Sequence, residues 1–238
     1  MSGPLQIQGA WPNRITYRRG WYKATARAWN ETTPDAAARL ERGTASFLTD
    51  ISSQLQETIS GSIYSPALYR PATRIWSRAS YRPFVELTVM ERRLSDLAER
   101  DGSVIVSPDP DMAAIAALDR LAFDAFWHMG AAGLAEAQEA TPHSAVLTAE
   151  VDGELAAYAI VGAQMGISYL QRIATRPNRR GQGLGRALVV SACHWGRAAG
   201  AITMVLNVKP DNHHAISLYA RCGFRQTANR LRVLRYEG

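Results

Sequence analysis

The sequence predicts an α/β protein (α+β in some classifications) with a mixed central sheet flanked by helices. Two observations in the second half of the chain support this class. Strand-like and helix-like stretches alternate after residue 103 in the order β-α-α-β-β-β-α-β-α-β. In addition, an apolar strand pattern, a glycine-rich turn and a helical pattern follow one another between residues 167 and 199. We therefore expect a sheet whose strands are joined in part by helices.

The composition indicates a folded chain, since 47% of the residues are hydrophobic and 20% are charged. No apolar run approaches the ~20 residues of a membrane span, and the N-terminus lacks the pattern of a signal peptide. We expect a cytoplasmic protein without membrane association. The two cysteines, Cys193 and Cys222, form neither a disulfide framework nor a metal-binding pattern. No metal is therefore expected.

The net charge of +6 is spread along the chain. Residues 1–102 hold 14 Arg or Lys against 10 Asp or Glu, and residues 103–238 hold 13 against 11. A nucleic-acid footprint requires a concentrated basic stripe, so no nucleic-acid partner is expected. An anionic small ligand fits this balance without a further assumption.

The first hundred residues show alternating strand and helix patterns that end in a polar stretch. We predict a strand from Ile15 to about Trp29, a helix from Asp35 to about Glu57, a short strand at 61–68, a short helix at 72–79 and a strand at 84–90. A turn at Asp101-Gly102 follows the charged residues 91–100. We place the domain boundary near 95–103, which gives domains at 1–100 and 103–238.

The second domain contains the elements that define the fold class. We predict strands at 104–106, 145–151, 154–162, 167–175, 202–208 and 224–235, and helices at 112–127, 133–140, about 186–199 and 212–221. Asp152-Gly153 joins two of these strands and is typical of a tight hairpin. The strand that ends at Thr175 leads directly into the glycine-rich turn.

That turn carries Arg179, Arg180 and Arg186 around glycines at 181, 183 and 185. A strand, a turn of exposed amides and a helix N-terminus form a site for an anion such as phosphate. The turn is not a P-loop, because no Gly-x4-Gly-Lys-Ser/Thr occurs. It is a poor dinucleotide fingerprint, because Arg186 stands where GxGxxG from Gly181 needs glycine.

A second motif lies one predicted helix and one predicted strand further on. Asn212-x-x-Ala-x-x-x-Tyr219 is followed by Gly223-Phe224. Together with Arg180-x-x-Gly183-x-Gly185, it resembles the signatures of the Gcn5-related N-acetyltransferase (GNAT) superfamily in the same order and separation. The resemblance covers about 103–238. It implies an acyl-CoA-dependent N-acyltransferase that uses acetyl-CoA as acyl donor and transfers the acetyl group directly to a primary amine.

The resemblance also assigns roles to residues of this chain. Tyr219 would be the general acid that protonates the departing thiolate. Residues that would bind the CoA donor are Ile173, Ala174, Thr175, Arg180, Gly181, Gln182, Gly183, Leu184, Gly185, Arg186, Asn207, Asn212 and Tyr219. Asn212 also fits a helix N-cap, and the two roles are compatible. The alternative for Tyr219 is a core aromatic residue with a satisfied hydroxyl and no catalytic role.

The general base is open. Some family members carry a glutamate where this chain has Asn207, which cannot abstract a proton although it can hold a water. Glu150 on a predicted central strand is the next candidate, and a water chain to solvent is an equal one. The acceptor is an amine of a small molecule, a peptide or a protein, and a homodimer is compatible with the family. A catalytically silent CoA-binding scaffold is the alternative function.

An internal comparison concerns the first hundred residues. Residues 72–82 parallel residues 215–225 at a constant offset of 143, with three identities in eleven pairs. We interpret residues 10–95 as a degenerate half-copy of the same fold, against the alternative of chance similarity. In this alignment, Ala37–Arg42 lies opposite the glycine turn, the strand ending near Trp29 lies opposite the one ending near Arg172, and Trp76 lies opposite Tyr219. The copy would therefore bind no cofactor.

Overall fold

The computed structural model describes residues 3–100 and 102–238, and the chain divides into two compact units. Unit 1 comprises Met1–Leu87 together with Asn229–Gly238, and unit 2 comprises Thr88–Ala228. The units therefore differ from the expected domains at 1–100 and 103–238. Asp101 of the expected turn lies outside the described residues.

The elements of the first part of the chain confirm most of the predicted strands. Their bounds are β1 Gln6–Gln8, β2 Ile15–Arg19, β3 Tyr22–Ala28, β4 Ala36–Arg42, α1 Ala45–Gln56, β5 Ile63–Tyr64, β6 Leu68–Tyr69, α2 Arg70–Arg78 and β7 Tyr81–Arg93.

The elements of the second part follow the predicted order. Their bounds are β8 Ile105–Ser107, α3 Met112–Ala122, α4 Ala131–Glu139, β9 His143–Val151, β10 Glu154–Gln164, β11 Ile167–Thr175, α5 Leu184–Ala198, β12 Thr203–Val208, α6 His213–Arg221 and β13 Arg225–Tyr236, with a 3-10 turn at Pro177–Arg179. No helix among the described residues is long and apolar enough to span a membrane.

Unit 1 contains a sheet in which β2, β3 and β4 are antiparallel and β4 runs parallel to β5. The predicted helix from Asp35 to Glu57 is wrong in its first part, because Ala36–Arg42 is strand β4. Ala36 and Ala38 are buried while Arg39 is exposed, which is the period of two that a strand requires. The helix begins only after Gly43, and its apolar face includes Phe47 and Ile51.

Unit 2 has a mixed sheet with helices on both faces, which confirms the predicted fold class. β8, β9, β10 and β11 are antiparallel, and β11 is parallel to β12. The larger core lies with α5 and includes Leu188, Val189 and Met204. A smaller core includes Leu118 of α3 and Tyr158 of β10. The sheet is thus covered by α5 on one side and by α3 and α4 on the other.

Two long strands each contribute residues to both units. Residues 88–93 of β7 pair antiparallel with β12 in unit 2. Arg235 of β13 pairs with Tyr64 of β5 in unit 1, and Leu231 pairs with Tyr69 of β6. Unit 2 therefore includes the part of β7 that follows α2 of unit 1. Unit 1 includes the part of β13 that follows α6 of unit 2. This exchange explains why a single boundary near 95–103 does not separate them.

The element order supports the interpretation of a degenerate half-copy. Apart from the two-residue strand β6, the order β2-β3-β4-α1-β5-α2-β7 repeats as β9-β10-β11-α5-β12-α6-β13. The bounds of α2 and α6 differ by the predicted offset of 143 at both ends. The strand alignment needs one correction. β4 corresponds to β11, because each runs parallel to the strand that follows the next helix. β3, which ends near Trp29, therefore corresponds to β10 and not to β11.

Candidate active site

The turn between β11 and α5 exposes its backbone. Gly181 and Gly183 have φ values of +80° and +83°, a region that glycine enters readily and other residues rarely do. A Cβ added at either position would meet no atom within 4 Å. Glycine is therefore favoured at both positions by the backbone conformation and not by close packing. Residues 180–183 are all exposed. No side chain caps the N-terminus of α5, so its first amides remain available to an anion.

The strand that leads into this turn diverges from its parallel neighbour. β11 and β12 pair only from Ile167 with Thr203 to Tyr169 with Val205. The register between β10 and β11 shifts so that Gln171 is an extra residue on β11, and a bulge of this kind bends a strand. The predicted donor-binding residues Ile173, Ala174 and Thr175 all lie beyond the last pair. Their edge of β11 has no strand partner from β12 among the described residues.

The first turn of α5 meets the ends of two other elements. A Cβ added at Gly185 would lie 3.2 Å from Cδ2 of Leu218 on α6 and 3.9 Å from Oγ1 of Thr175. The glycine turn, the end of β11 and α6 are therefore adjacent. Leu218 directly precedes Tyr219, so the two sequence motifs come together in one place.

Tyr219 is buried, with 6% of its surface exposed. Burial raises the pKa of Tyr219 to about 12, an effect that the nearby positive charge of Arg172 partly opposes. The hydroxyl therefore keeps its proton near neutral pH. The backbone amide of Phe224 donates to the carbonyl of Tyr219 at 3.0 Å, and Gly223 ends the helix in the left-handed region with φ of +83°.

The helix that carries Tyr219 begins at a capping side chain. Oδ1 of Asn212 accepts a hydrogen bond from the amide of Ala215 at 3.1 Å. The predicted N-cap is thus confirmed, while a contact between Asn212 and a donor molecule stays a prediction. Asn207 is exposed on β12, between the buried side chains of Leu206 and Val208.

Some of the remaining residues predicted to bind the donor are exposed, and others are buried. Arg186 and Gln182 are exposed, and Leu184 is a buried core residue. Nη2 of Arg180 donates to the carbonyl of Ala122 at 3.0 Å. This bond ties the end of α3 to the glycine turn.

Glu150 is not brought to this cluster. It is exposed on β9 and pairs with Leu155 of β10. In the sheet order, β10 separates β9 from β11. The assignment of Glu150 as general base stays a prediction that the geometry does not support.

A buried ion pair beside Tyr219 was missed in the sequence. Nε and Nη2 of Arg172 on β11 donate to Oδ2 and Oδ1 of Asp119 on α3, both at 2.7 Å. The side chain of Asp119 is fully buried and that of Arg172 is 10% exposed. The hydroxyl of Tyr158 also donates to Asp119. One signal was present, because Asp119 interrupts the apolar face of α3 between Ile115 and Ala122.

This pair fixes the segment between α3 and α4. The amide of Met129 donates to Asp119 at 2.5 Å, and Nη2 of Arg172 donates to the carbonyl of Trp127 at 2.8 Å. The guanidinium of Arg172 lies 3.6 Å from the centroid of the Phe123 ring. Residues 123–129 are therefore held against the part of β11 that diverges from β12.

The same segment reaches the end of β12. Nζ of Lys209, the residue after β12, lies 5.8 Å from the centroid of the Trp127 ring. Residues 123–129 thus contact Arg172 on β11 and approach Lys209, the residue after β12. A molecule between those strands would meet this aromatic segment.

A comparison with known proteins identifies a family that the residues around this site resemble. Residues 112–224 match the family model described as the acetyltransferase (GNAT) family. This match confirms the resemblance to that family that was drawn from the two motifs. The matched residues include both motifs and the Asp119–Arg172 pair.

Two curated relatives and one solved structure extend the comparison. The chain is 34% identical over 171 residues to a mycothiol acetyltransferase of Kineococcus radiotolerans, covering 66% of this chain and 56% of the relative. It is 35% identical over 79 residues to the ribosomal protein bS18-alanine N-acetyltransferase of Escherichia coli, covering 33% and 53%. The matches thus span little more than half of each relative's length.

The solved structure resembles this chain as a whole. It is a tandem GNAT protein from the clavulanic acid biosynthesis pathway, with a TM-score of 0.61 and 14% identity over 94% of this chain and 82% of that one. At this identity the likeness concerns the fold alone. It agrees with the half-copy interpretation of unit 1.

Proposed function

We propose that unit 2 transfers the acetyl group of acetyl-CoA to a primary amine in a ternary complex. The observation that supports this function best is the uncapped N-terminus of α5, preceded by two left-handed glycines, at the end of a strand that diverges from its parallel neighbour. An anion site next to an open strand edge suits a donor that has a pyrophosphate at one end and amides along its arm.

Each part of the site has a role in holding the donor. The amides of residues 181–186 bind the pyrophosphate, with Arg180 and Arg186 adding positive charge. The open edge of β11 from Ile173 to Thr175 pairs with the pantetheine arm as an extra strand would. One amide on that edge polarises the thioester carbonyl, so that negative charge on its oxygen is stabilised as the amine attacks.

Tyr219 acts on the sulfur. The amine nitrogen forms a bond to the carbonyl carbon and the C–S bond breaks. The proton that the nitrogen loses balances the one that the sulfur gains. Burial raises the pKa of Tyr219 to about 12, so its hydroxyl keeps its proton near neutral pH. Tyr219 therefore donates a hydrogen bond to the developing thiolate, and the nitrogen supplies the proton in the end.

The proton of an ammonium acceptor leaves by another route. Glu150 is too exposed and too far along the sheet to be favoured for this step. Asn207 cannot accept the proton, but it is exposed on β12 and can hold a water that passes the proton to solvent. We favour this water route.

The acceptor enters beside the segment 123–129. The relatives indicate two classes of acceptor, a mycothiol-related small molecule and an alanine of a ribosomal protein. Phe123 and Trp127 offer aromatic surface, and Lys209 offers a positive charge at the end of β12. An amine that also carries an anionic or hydroxylated group fits this combination.

The test measures donor binding first and turnover second. Acetyl-CoA is titrated calorimetrically, and CoA release is then followed with a panel of small amines and of peptides with N-terminal alanine. We expect Tyr219→Phe to lower kcat by about 10²–10³-fold and to lower the acetyl-CoA affinity much less. Tyr17→Phe is the control, since Tyr17 is a buried tyrosine of unit 1. It should leave kcat unchanged.

Three outcomes would contradict the proposal. Failure of acetyl-CoA to bind would reject the donor site. Binding without turnover of any acceptor would favour the catalytically silent scaffold. Wild-type turnover by Tyr219→Phe would remove the role of its hydroxyl while leaving acetyl transfer intact.

A further inference from the structure

The positive charge of the protein is concentrated in unit 1. Unit 1 holds 14 Arg or Lys against 7 Asp or Glu, a net charge of +7, whereas unit 2 holds 13 against 14, a net charge of −1. Division of the chain near residue 102 conceals this asymmetry, because Arg230, Arg232 and Arg235 then count with the second half. The expectation that no nucleic acid binds depended on that division.

One face of unit 1 carries a large share of this charge. Ile15, Tyr17, Ala24 and Ala38 point into the core of unit 1. Side chains alternate along a strand, so the intervening residues of β2, β3 and β4 share the opposite face. The basic residues of this outer face are Arg18, Lys23, Arg27, Arg39 and Arg42, the last of which is placed there by the extra residue Glu41 on β4.

Three of these residues form a row across the strands. Arg18 lies directly opposite Lys23, and Lys23 lies directly opposite Arg42. With strands ~4.8 Å apart, the row spans roughly 10 Å. Like charges directly opposite each other destabilise a sheet. Lys23 is paired with Glu41 at 2.7 Å, while Arg18 and Arg42 form no ion pair in the described part of the chain.

An aromatic ring stands at the end of this row. Trp21, in the turn between β2 and β3, is 67% exposed. The guanidinium of Arg42 lies 4.3 Å from the centroid of its ring. Exposed aromatic rings among basic residues are the usual platform for unpaired bases, which stack on the ring while the cations contact the phosphates.

We propose that this outer face of β2, β3 and β4 binds single-stranded RNA. The charge row matches a phosphate backbone, and Trp21 provides a stacking surface for a base. Thr16 lies on the same face as Arg18 and is partly exposed, and its hydroxyl can bond to a ribose 2′-OH, which favours RNA over DNA. The row offers no cluster of apolar side chains for insertion into a membrane.

The test measures binding of a fluorescein-labelled 12-nucleotide oligo(U) to the full chain by anisotropy between 50 and 200 mM KCl. We expect R18Q/R39Q/R42Q to reduce the magnitude of the slope of log K against log salt by about 2, since each phosphate contact on a single strand contributes about 0.7. We expect Trp21→Ser to weaken binding about tenfold. The melting temperature of each variant reports folding.

A matched variant removes the same charge elsewhere in unit 1. Arg70, Arg74 and Arg78 are exposed along α2, and R70Q/R74Q/R78Q should bind oligo(U) within threefold of the wild type. Equal weakening by the two triple variants would overturn the proposed site, as would absence of binding at 50 mM KCl. Oligo(dU) that binds as tightly as oligo(U) would overturn the RNA assignment. Tighter binding to phosphatidylglycerol vesicles than to oligo(U) would do the same.

Discussion

The two units share a series of strands and helices, but the strand before the first shared helix connects to that helix differently in each. In unit 1, β4 ends at Arg42 and only Gly43 and Thr44 precede α1. Oγ1 of Thr44 accepts from the amide of Phe47 at 3.3 Å. In unit 2, eight residues separate β11 from α5, and no side chain caps that helix. The proposed anion site therefore depends on the longer, uncapped connection of unit 2, and the short, capped connection of unit 1 offers no such site.

A second difference concerns the helices that correspond at an offset of 143. Both α2 and α6 bury an aromatic residue, Trp76 and Tyr219. Only the tyrosine carries a hydroxyl that can donate to a departing sulfur. The packing role is therefore shared by both units, and the chemical role is possible in unit 2 alone.

The largest expected effect comes from a buried ion pair of unit 2, which is compared with a partly exposed ion pair of unit 1. Asp119→Asn removes a fully buried charge from its bidentate pair with Arg172, which should lower the free energy of unfolding by about 3–5 kcal/mol. Denaturant unfolding measures this change. Asp50→Asn is the control, because the Arg19–Asp50 pair of unit 1 is partly exposed at 25% and 45% and such pairs contribute about 0–1 kcal/mol. Equal losses would remove the contrast.

The next prediction places the same charge at both helix N-termini. Gly183→Asp introduces a carboxylate beside the α5 amides and should abolish the stabilisation by acetyl-CoA. That stabilisation is about 2.7 kcal/mol at 100 times Kd, or about 5–11 °C in melting temperature. Thr44→Asp puts a carboxylate at the cap of α1, where aspartate is also accepted. It should leave the acetyl-CoA shift unchanged, and loss of the shift in this variant would contradict the assignment of the site to α5.

A smaller effect is expected from removal of the cap itself. Thr44→Ala leaves the amide of Phe47 without its partner, which should lower the free energy of unfolding by about 1 kcal/mol. Acetyl-CoA should still raise the melting temperature as in the wild type. A wild-type free energy of unfolding would show that the capped connection does not stabilise unit 1.

The smallest effect concerns the pH dependence of kcat, for which ionisation of Tyr219 should cause no change below pH 10. Burial raises the pKa of Tyr219 to about 12, above the value of 10 in the unfolded chain. Its contribution to stability is thus complete below pH 10 and is lost as pH rises through 12. Ionisation of Tyr219 should therefore not lower kcat below pH 10. A fall near pH 8–9 that disappears in Tyr219→Phe, seen in a pH–rate profile, would contradict this.

The parts of the fold and site with a local signal were predictable from sequence. The strand ending at Thr175, the glycine turn, the helix after it and the Asn212 cap of α6 were placed to within a few residues. Asp152 and Gly153 both take positive φ, at +57° and +76°, as the predicted hairpin requires. In each case the residue type itself fixes the backbone conformation.

The parts that were missed depend on distant contacts. Ala36–Arg42 consists of helix-favouring residues, yet pairing with β3 and β5 makes it a strand. Asp119 and Arg172 are 53 residues apart, and nothing near either one indicates the other. The predicted helix 112–127 ends at Ala122, because the following residues turn back so that Met129 and Trp127 can bond to this pair.

The exchange of strand segments permits an order of folding during synthesis that is the reverse of the usual one. Domains generally fold as they leave the ribosome, the N-terminal one first. Here unit 1 includes Asn229–Gly238, whereas unit 2 is complete at Ala228. The later part of the chain can therefore assemble before the earlier part, which waits for the segment after residue 228 before its sheet gains that strand. During this interval the edge of β5 is unprotected, and nascent chains stalled before residue 229 should be the ones that chaperones retain.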